Sequence, residues 1–175
     1  MNTEEKILIK VGSNPNKTQK TYKIGDRYRK EWTSGYRVRH IGWLRCHLRY
    51  LKQIRPGYVL SSNTDMETFM WVEYKEVPGT PVRTLLKDKE FTKNLDMIEF
   101  LKTYKKFCVK NMSDTKPYVH MDWHADNILI DGDWKDLENW DMVDWDNVGL
   151  YPKQDAIKKL NADMEDEFGK EMEIK

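Results

Sequence analysis

The sequence predicts an α+β fold: a strand-rich, antiparallel first half followed by a helix-rich second half. Three observations lead there. Short alternating runs bounded by turn residues fill 6–32 and 58–77. Apolar residues recur at every third or fourth position in YRVRHIGWLRCHLRYLKQI, NLDMIEFLKTYKKFCVKNM and KQDAIKKLNADMEDEFGKEMEIK. Between the two halves, PGTP at 78–81 marks the lobe boundary, which divides the chain into 1–79 and 80–175. At 175 residues the chain can bury a core as one domain or as two small lobes.

In chain order, KILIKV reads as a first strand and SNPNKTQK as a turn-rich segment. KTYKI and RYRKEW alternate around Gly25-Asp26, a hairpin signal, so 6–32 forms a three-stranded antiparallel meander. After Ser34-Gly35, Val38, Ile41, Leu44, Leu48, Leu51 and Ile54 make one helical face, closed by Pro56-Gly57. YVLSS and TFMWVEYKEV form a second hairpin. In the second half, Leu95, Ile98, Leu101 and Phe107, with Met97, Phe100 and Tyr104, give a helix a broad apolar stripe. NILID and NWDMVDWD are short strands joined by a tight turn at Gly132-Asp133. The last helix turns Ala156, Ile157, Leu160, Met164 and Phe168 inward and leaves the stretch from Ala162 to Glu173 as a solvated acidic face.

Lys and Arg number 30 against 29 Asp and Glu, a formal net charge of +1, but the charge is unevenly spread. Residues 1–60 carry 14 Lys and Arg against 4 Asp and Glu, whereas 117–175 carry 6 against 16. Either the two ends attract each other, or the basic part holds a polyanion and the acidic part its metal counter-ions. No apolar run nears the roughly 20 residues of a membrane helix, and MNTEEKILIK has neither the basic start nor the long apolar core of a secretory leader. Cys46 and Cys108 therefore read as free thiols in a reducing compartment. A cytoplasmic location with no membrane partner is the expectation.

The chemistry concentrates in PYVHMDWHADNILIDGDW, residues 117–134. His120, Asp122, His124 and Asn127 fit the spacing HxDxHxxN, and Asp144 follows in MVDWD. Two strands thus carry two aspartates and an asparagine to neighbouring ends. By residue type alone this is a zinc site on the two histidines, a polar turn held by side-chain hydrogen bonds, or a set of oxygen ligands for phosphoryl transfer. No further His or Cys lies near the histidines, and the joint pattern exceeds what a turn requires.

HMDWHADNILID and MVDWD resemble the catalytic loop and metal-binding aspartate of the kinase-like phosphotransferases, in particular the aminoglycoside phosphotransferase and choline kinase branch. Loops of that branch commonly read HGDxHxxN before an apolar strand and a later IDW. GSNPNKTQKTYKIGDRYRK is similar to the family's first hairpin, and WVEYKEVPGTPV to its fourth strand and hinge. Gln154-Asp155 resembles the aspartate that ties down the loop after the metal strand. The resemblance implies a protein-kinase-like two-lobed fold, with a small antiparallel-sheet N-lobe carrying one helix and a reduced helical C-lobe.

It also implies ATP and Mg2+ as cofactors and transfer of the γ-phosphoryl group to the hydroxyl of a small-molecule acceptor. On this match Asp122 would orient or deprotonate the acceptor, His120 would brace the loop, and His124 counts with them in the catalytic motif. Asn127 and Asp144 would bind Mg2+. Lys30 would contact the phosphates near the Ser13-Asn14 turn, with Lys23 as a competing lysine. The backbone of Glu73, Tyr74 and Lys75 would hold adenine, with the side chain of Glu73 in solvent.

A second reading departs from catalysis. SNPNKTQK has no glycine after Gly12, and the helix over 36–54 has no Glu or Asp to pair with the lysine. Little chain follows Asp144 to shape an acceptor pocket. These features suit a nucleotide-binding pseudokinase that acts through a protein partner, and a second copy of the chain could complete the pocket as a homodimer. Nucleic-acid binding by the basic half, where aromatics are interleaved with Arg and Lys, rests on composition alone and is not expected.

Overall fold

The computed structural model describes residues 5–11, 19–33, 38–64, 69–112, 118–120, 122–145 and 148–169. The chain forms two compact units, Met1–Glu76 and Val77–Lys175, divided just before the PGTP turn. The architecture is α+β.

The first unit is a five-stranded antiparallel sheet with one helix. Its strands are β1 (Lys6–Val11), β2 (Gln19–Ile24), β3 (Arg27–Thr33), β4 (Val59–Asn63) and β5 (Phe69–Lys75), in the order β1-β2-β3-β5-β4. Both predicted antiparallel hairpins are present. Ile24 pairs with Arg27, which leaves Gly25-Asp26 as a two-residue turn, and Gly25 has a φ of 58°. A left-handed glycine at the first central position is the type II′ pattern, whose twist matches the strands it joins.

Alternation along paired β3 and β5 puts Tyr28, Lys30 and Trp32 on one face with Met70, Val72 and Tyr74. Arg27, Arg29 and Glu31 share the other face with Trp71, Glu73 and Lys75. The first face is the core side, since Trp32, Met70, Val72 and Tyr74 are all buried. So are Leu44, Leu48 and Leu51 of α1 (Val38–Ile54), a single helical stripe whose members each contribute about 2 kcal/mol through burial. At the sheet edge, β1 instead exposes Ile7, Leu8, Ile9 and Val11.

The second unit contains the helices α2 (Val82–Leu85), α3 (Lys89–Thr92), α4 (Met97–Lys110) and α5 (Lys153–Phe168). Strands β6 (Thr80–Pro81), β8 (Ile128–Ile130) and β9 (Trp140–Met142) form one antiparallel sheet in the order β6-β8-β9. Strands β7 (Tyr118–His120) and β10 (Val148–Leu150) pair separately. Asp96 caps α4 by accepting the Glu99 N–H at 3.0 Å.

The buried stripe of α4 matches the predicted one except at its first turn. Phe100, Leu101, Tyr104, Phe107 and Cys108 are buried, while Ile98, expected inside, is 56% exposed. The reason is aromatic: Phe100, Tyr104 and Phe107 surround Trp140 with ring centroids 5.6, 6.2 and 5.6 Å away. Three rings on one indole bury more apolar area than an isoleucine can.

The link between β8 and β9 also differs from the expected tight turn. It runs from Asp131 to Asn139, includes a 3-10 turn at Leu137–Asn139, and is closed by the Asp131 N–H donating to the Asn139 carbonyl at 2.8 Å. Because β9 ends at Met142, Asp144 lies in the segment after the strand. From α5, Ala156, Leu160 and Met164 enter the core, and Phe168 meets Tyr104 edge-on at 5.3 Å. Among the described residues no helix is long and apolar enough to cross a membrane.

Candidate functional site

The HxDxHxxN motif begins at the end of β7 and runs into β8. His120, 1% exposed, accepts the Asp122 backbone N–H on Nδ1 at 3.1 Å. A backbone N–H can only donate, so Nδ1 is the bare nitrogen and Nε2 carries the proton. Nε2 then donates toward the carbonyl oxygens of Val143 and Asp144, at 3.1 and 3.0 Å. Burial pushes the His120 pKa down, and its hydrogen bonds and the nearby Asp122 and Asp144 only partly oppose this, so the ring is neutral. Trp145 packs edge-on against it at 4.9 Å, and Trp123 lies tilted to it at 5.8 Å.

Asn127 adds a second set of ties. Its side-chain Nδ2 donates to the Asp122 carbonyl at 3.2 Å, and its own carbonyl accepts the Val143 N–H at 2.8 Å. Asp144 has a φ of 58°, the one left-handed non-glycine residue among those described. That conformation costs roughly 1–2 kcal/mol and persists only where neighbours impose it. Here His120 holds the Asp144 carbonyl, and the Trp145 indole N–H donates to the Met142 carbonyl at 2.8 Å. Asp122, Asn127 and Asp144 are thus joined through backbone groups, the Asn127 side-chain amide and one imidazole.

Two charged residues that sequence reasoning missed complete this site. Asp122 Oδ1 is 3.0 Å from Nε2 of half-exposed His124, whose Nδ1 is 3.7 Å from Glu167 Oε2. The Glu167 side chain, only 6% exposed, accepts the Ala125 N–H at 2.9 Å and pairs with the Arg83 guanidinium. Arg83 Nε donates to Asp126 at 2.7 Å, and its backbone N–H to the Ala125 carbonyl at 3.2 Å.

The C-terminal acidic stretch is therefore not wholly a solvated face. Nor is Asp155 the carboxylate that ties down the loop: its side chain is 56% exposed and pairs with Lys158 in the same helix. A signal for Glu167 was present, because it lies seven residues after Leu160 and three after Met164, on the stripe that α5 buries.

In the first unit, Lys30 lies on the core face, buried, with Nζ 5.9 Å from the centre of the Tyr74 ring. The competing Lys23 pairs with Glu76 and lies over Tyr28 at 5.5 Å. Glu73 does not face solvent. It is buried on the opposite sheet face, where it accepts Arg29 Nε at 2.9 Å and the Ser61 hydroxyl at 2.5 Å. Burial alone would raise its pKa, but the bonds from Ser61 and Arg29 and the charges of Arg29 and Arg27 outweigh it and hold the carboxyl below its usual range.

Tyr74 is buried against Tyr58 with ring centroids 5.3 Å apart, and Lys75 is exposed. The backbone of Glu73, Tyr74 and Lys75 has β3 on one side and, on the other, β4 and the Tyr58 carbonyl, which accepts the Lys75 N–H at 2.8 Å. Both edges of this stretch are engaged in sheet pairing. Ser13 and Asn14 lie outside the described residues.

As a donor set, the Asn127 amide oxygen and the Asp144 carboxylate are hard oxygens suited to Mg2+. With Nδ2 committed to Asp122, Oδ1 is the acceptor end of the Asn127 amide. Among the described residues no group of three or more His, Cys, Asp or Glu side chains could share a metal ion. Two protein oxygens fit an ion that takes its remaining ligands from phosphates and water, as Mg2+ does. No model of a known protein family matches the chain, and no curated protein matches it.

Proposed function

We propose that the protein is an ATP- and Mg2+-dependent phosphotransferase that moves the γ-phosphoryl group to a hydroxyl of a small-molecule acceptor, on a protein-kinase-like two-lobed scaffold. The observation that supports this most is the bonding of His120, whose two ring nitrogens tie the Asp122 amide to the carbonyls of Val143 and Asp144. With both nitrogens committed to backbone, His120 is a brace rather than a zinc ligand. A simple polar turn would not require the left-handed Asp144.

Phosphoryl transfer is mostly positioning and charge neutralisation. Asp122 orients the acceptor hydroxyl and takes its proton as the oxygen attacks phosphorus. Asn127 and Asp144 would hold Mg2+, which when bound neutralises charge on the phosphates. Lys30, a buried cation, would contact the same phosphates. Since the strand backbone through Lys75 is engaged on both edges, adenine would bind to residues that follow it.

One observation favours a second reading. The acidic residues of β3 and β5, Glu31 and Glu73, lie on the face opposite Lys30 and pair with Lys6 and Arg29. With no acidic residue in α1, that arrangement suits a nucleotide-binding pseudokinase working through a protein partner.

The test is Mg2+-dependent ATP turnover with candidate alcohols by wild type, Asp122→Ala and Asp144→Ala. Each substitution is expected to lower turnover by about a hundredfold or more. Turnover that survives both overturns the phosphotransferase reading. Thermal stabilisation by ATP without turnover supports the pseudokinase.

A further inference from the structure

We propose that Glu167 is a positioning residue for the Asp122 carboxylate, acting through His124 and the Ala125 amide. The inference rests on the phosphotransferase reading, in which Asp122 receives the acceptor proton. It starts from an anomaly of burial: Glu165 and Asp166 beside it are exposed, while the Glu167 side chain is 6% exposed. A carboxylate taken out of water is retained only where charges and N–H donors replace its hydration.

Those replacements all come from the catalytic loop or from the residue that grips it. Glu167 Oε1 pairs with the Arg83 guanidinium, and Oε2 accepts the Ala125 N–H at 2.9 Å. Arg83 also holds Ala125, through its carbonyl at 3.2 Å, and the next loop residue, through Asp126 Oδ2 at 2.7 Å. The loop between Asp122 and Asn127 is thereby clamped at its middle.

His124 connects the clamp to the base. Its Nδ1 is 3.7 Å from Glu167 Oε2, and its Nε2 is 3.0 Å from Asp122 Oδ1. His124 thus lies within ion-pair range of both carboxylates. With Oδ1 facing the His124 ring, Oδ2 is the oxygen left for the acceptor hydroxyl. An unclamped His124 lets the Asp122 carboxylate rotate, which lowers the rate of transfer while binding of MgATP is unaffected.

Glu167→Gln keeps the size of the side chain and an acceptor for the Ala125 N–H, but removes the anion facing Arg83 and His124. It is expected to lower kcat about tenfold with KM for MgATP within about twofold of wild type. In a His124→Ala background the same change is expected to lower kcat by less than about threefold, because the connection is already broken. A folded Glu167→Gln protein with kcat within twofold of wild type overturns the proposal, as do full effects in both backgrounds.

Where Glu167→Gln does not fold, Arg83→Gln leaves Glu167 without its guanidinium and is expected to shift kcat alone in the same direction. An unchanged kcat there also overturns the proposal. If wild type shows no turnover, the phosphotransferase reading fails by itself. The clamp is then read by NMR: on Glu167→Gln the His124 ring nitrogens are expected to shift and Ala125 amide exchange to accelerate, and unchanged signals count against it.

Discussion

The Nε2 of His120 stands 3.0 Å from the carbonyl oxygen of Asp144, while its Nδ1 accepts the backbone N–H of Asp122 at 3.1 Å. One neutral ring thus joins two segments that each carry a candidate functional carboxylate. His120→Ala leaves the Asp122 N–H and two carbonyls without their partner and opens a cavity beside Trp123 and Trp145. Urea denaturation is expected to show a loss of about 3 kcal/mol. A loss under 1 kcal/mol contradicts the bracing role.

Strain at Asp144 predicts an unusual order of stabilities. Asp144→Ala and Asp144→Gly both remove the carboxylate, but only glycine adopts a φ of 58° without penalty. The glycine variant is expected to be about 1 kcal/mol the more stable of the two in urea denaturation. Both are expected to lose Mg2+-dependent nucleotide binding.

Tyr104, buried in α4, donates its hydroxyl to the Trp123 carbonyl at 2.6 Å, inside the HxDxHxxN motif. Tyr104→Phe preserves the ring contacts with Trp140 and Phe168 but strands that carbonyl. The expected cost is about 1–2 kcal/mol, measured by thermal or chemical denaturation.

Glu73 predicts an acid-sensitive sheet. Its folded pKa is held below the unperturbed value of 4.5, so the unfolded chain takes up the proton more readily. Its contribution is whole above about pH 4.5 and is lost as pH falls through the folded value. The slope from this one group is at most about 1.4 kcal/mol per pH unit. Denaturation of Ser61→Ala beside wild type between pH 6 and 3 is expected to show a shallower acid loss in the variant; identical slopes contradict the assignment.

Gly79 has a φ of 115°, and a Cβ there would stand 3.0 Å from the carbonyl carbon and oxygen of Ile130. Gly79→Ala is both strained and crowded against backbone that cannot yield locally. The pairing of β6 with β8 is expected to weaken, with a loss of about 2 kcal/mol in stability.

Local patterns in the sequence determined much of this protein. The meander, α1, the second hairpin and the motif running from His120 to Asp144 follow from alternation, helical spacing and turn residues, all of which act over a few neighbours. The candidate site was marked instead by the resemblance of HMDWHADNILID and MVDWD to a kinase-like loop, carried by one compact run of chain.

Tertiary structure decided what depends on distant pairs. It left Ile98 of the predicted α4 stripe exposed, while Phe100 of the same stripe packs on Trp140. It placed Lys30 and Glu73 on opposite faces of paired strands, a matter of register. It also selected Glu167 from a row of acidic residues: periodicity set the helix face, but only the fold brings Arg83, 84 residues earlier, to neutralise it. A carboxylate's role is set by the charges that meet it, and those are brought together by packing rather than by neighbours in the chain.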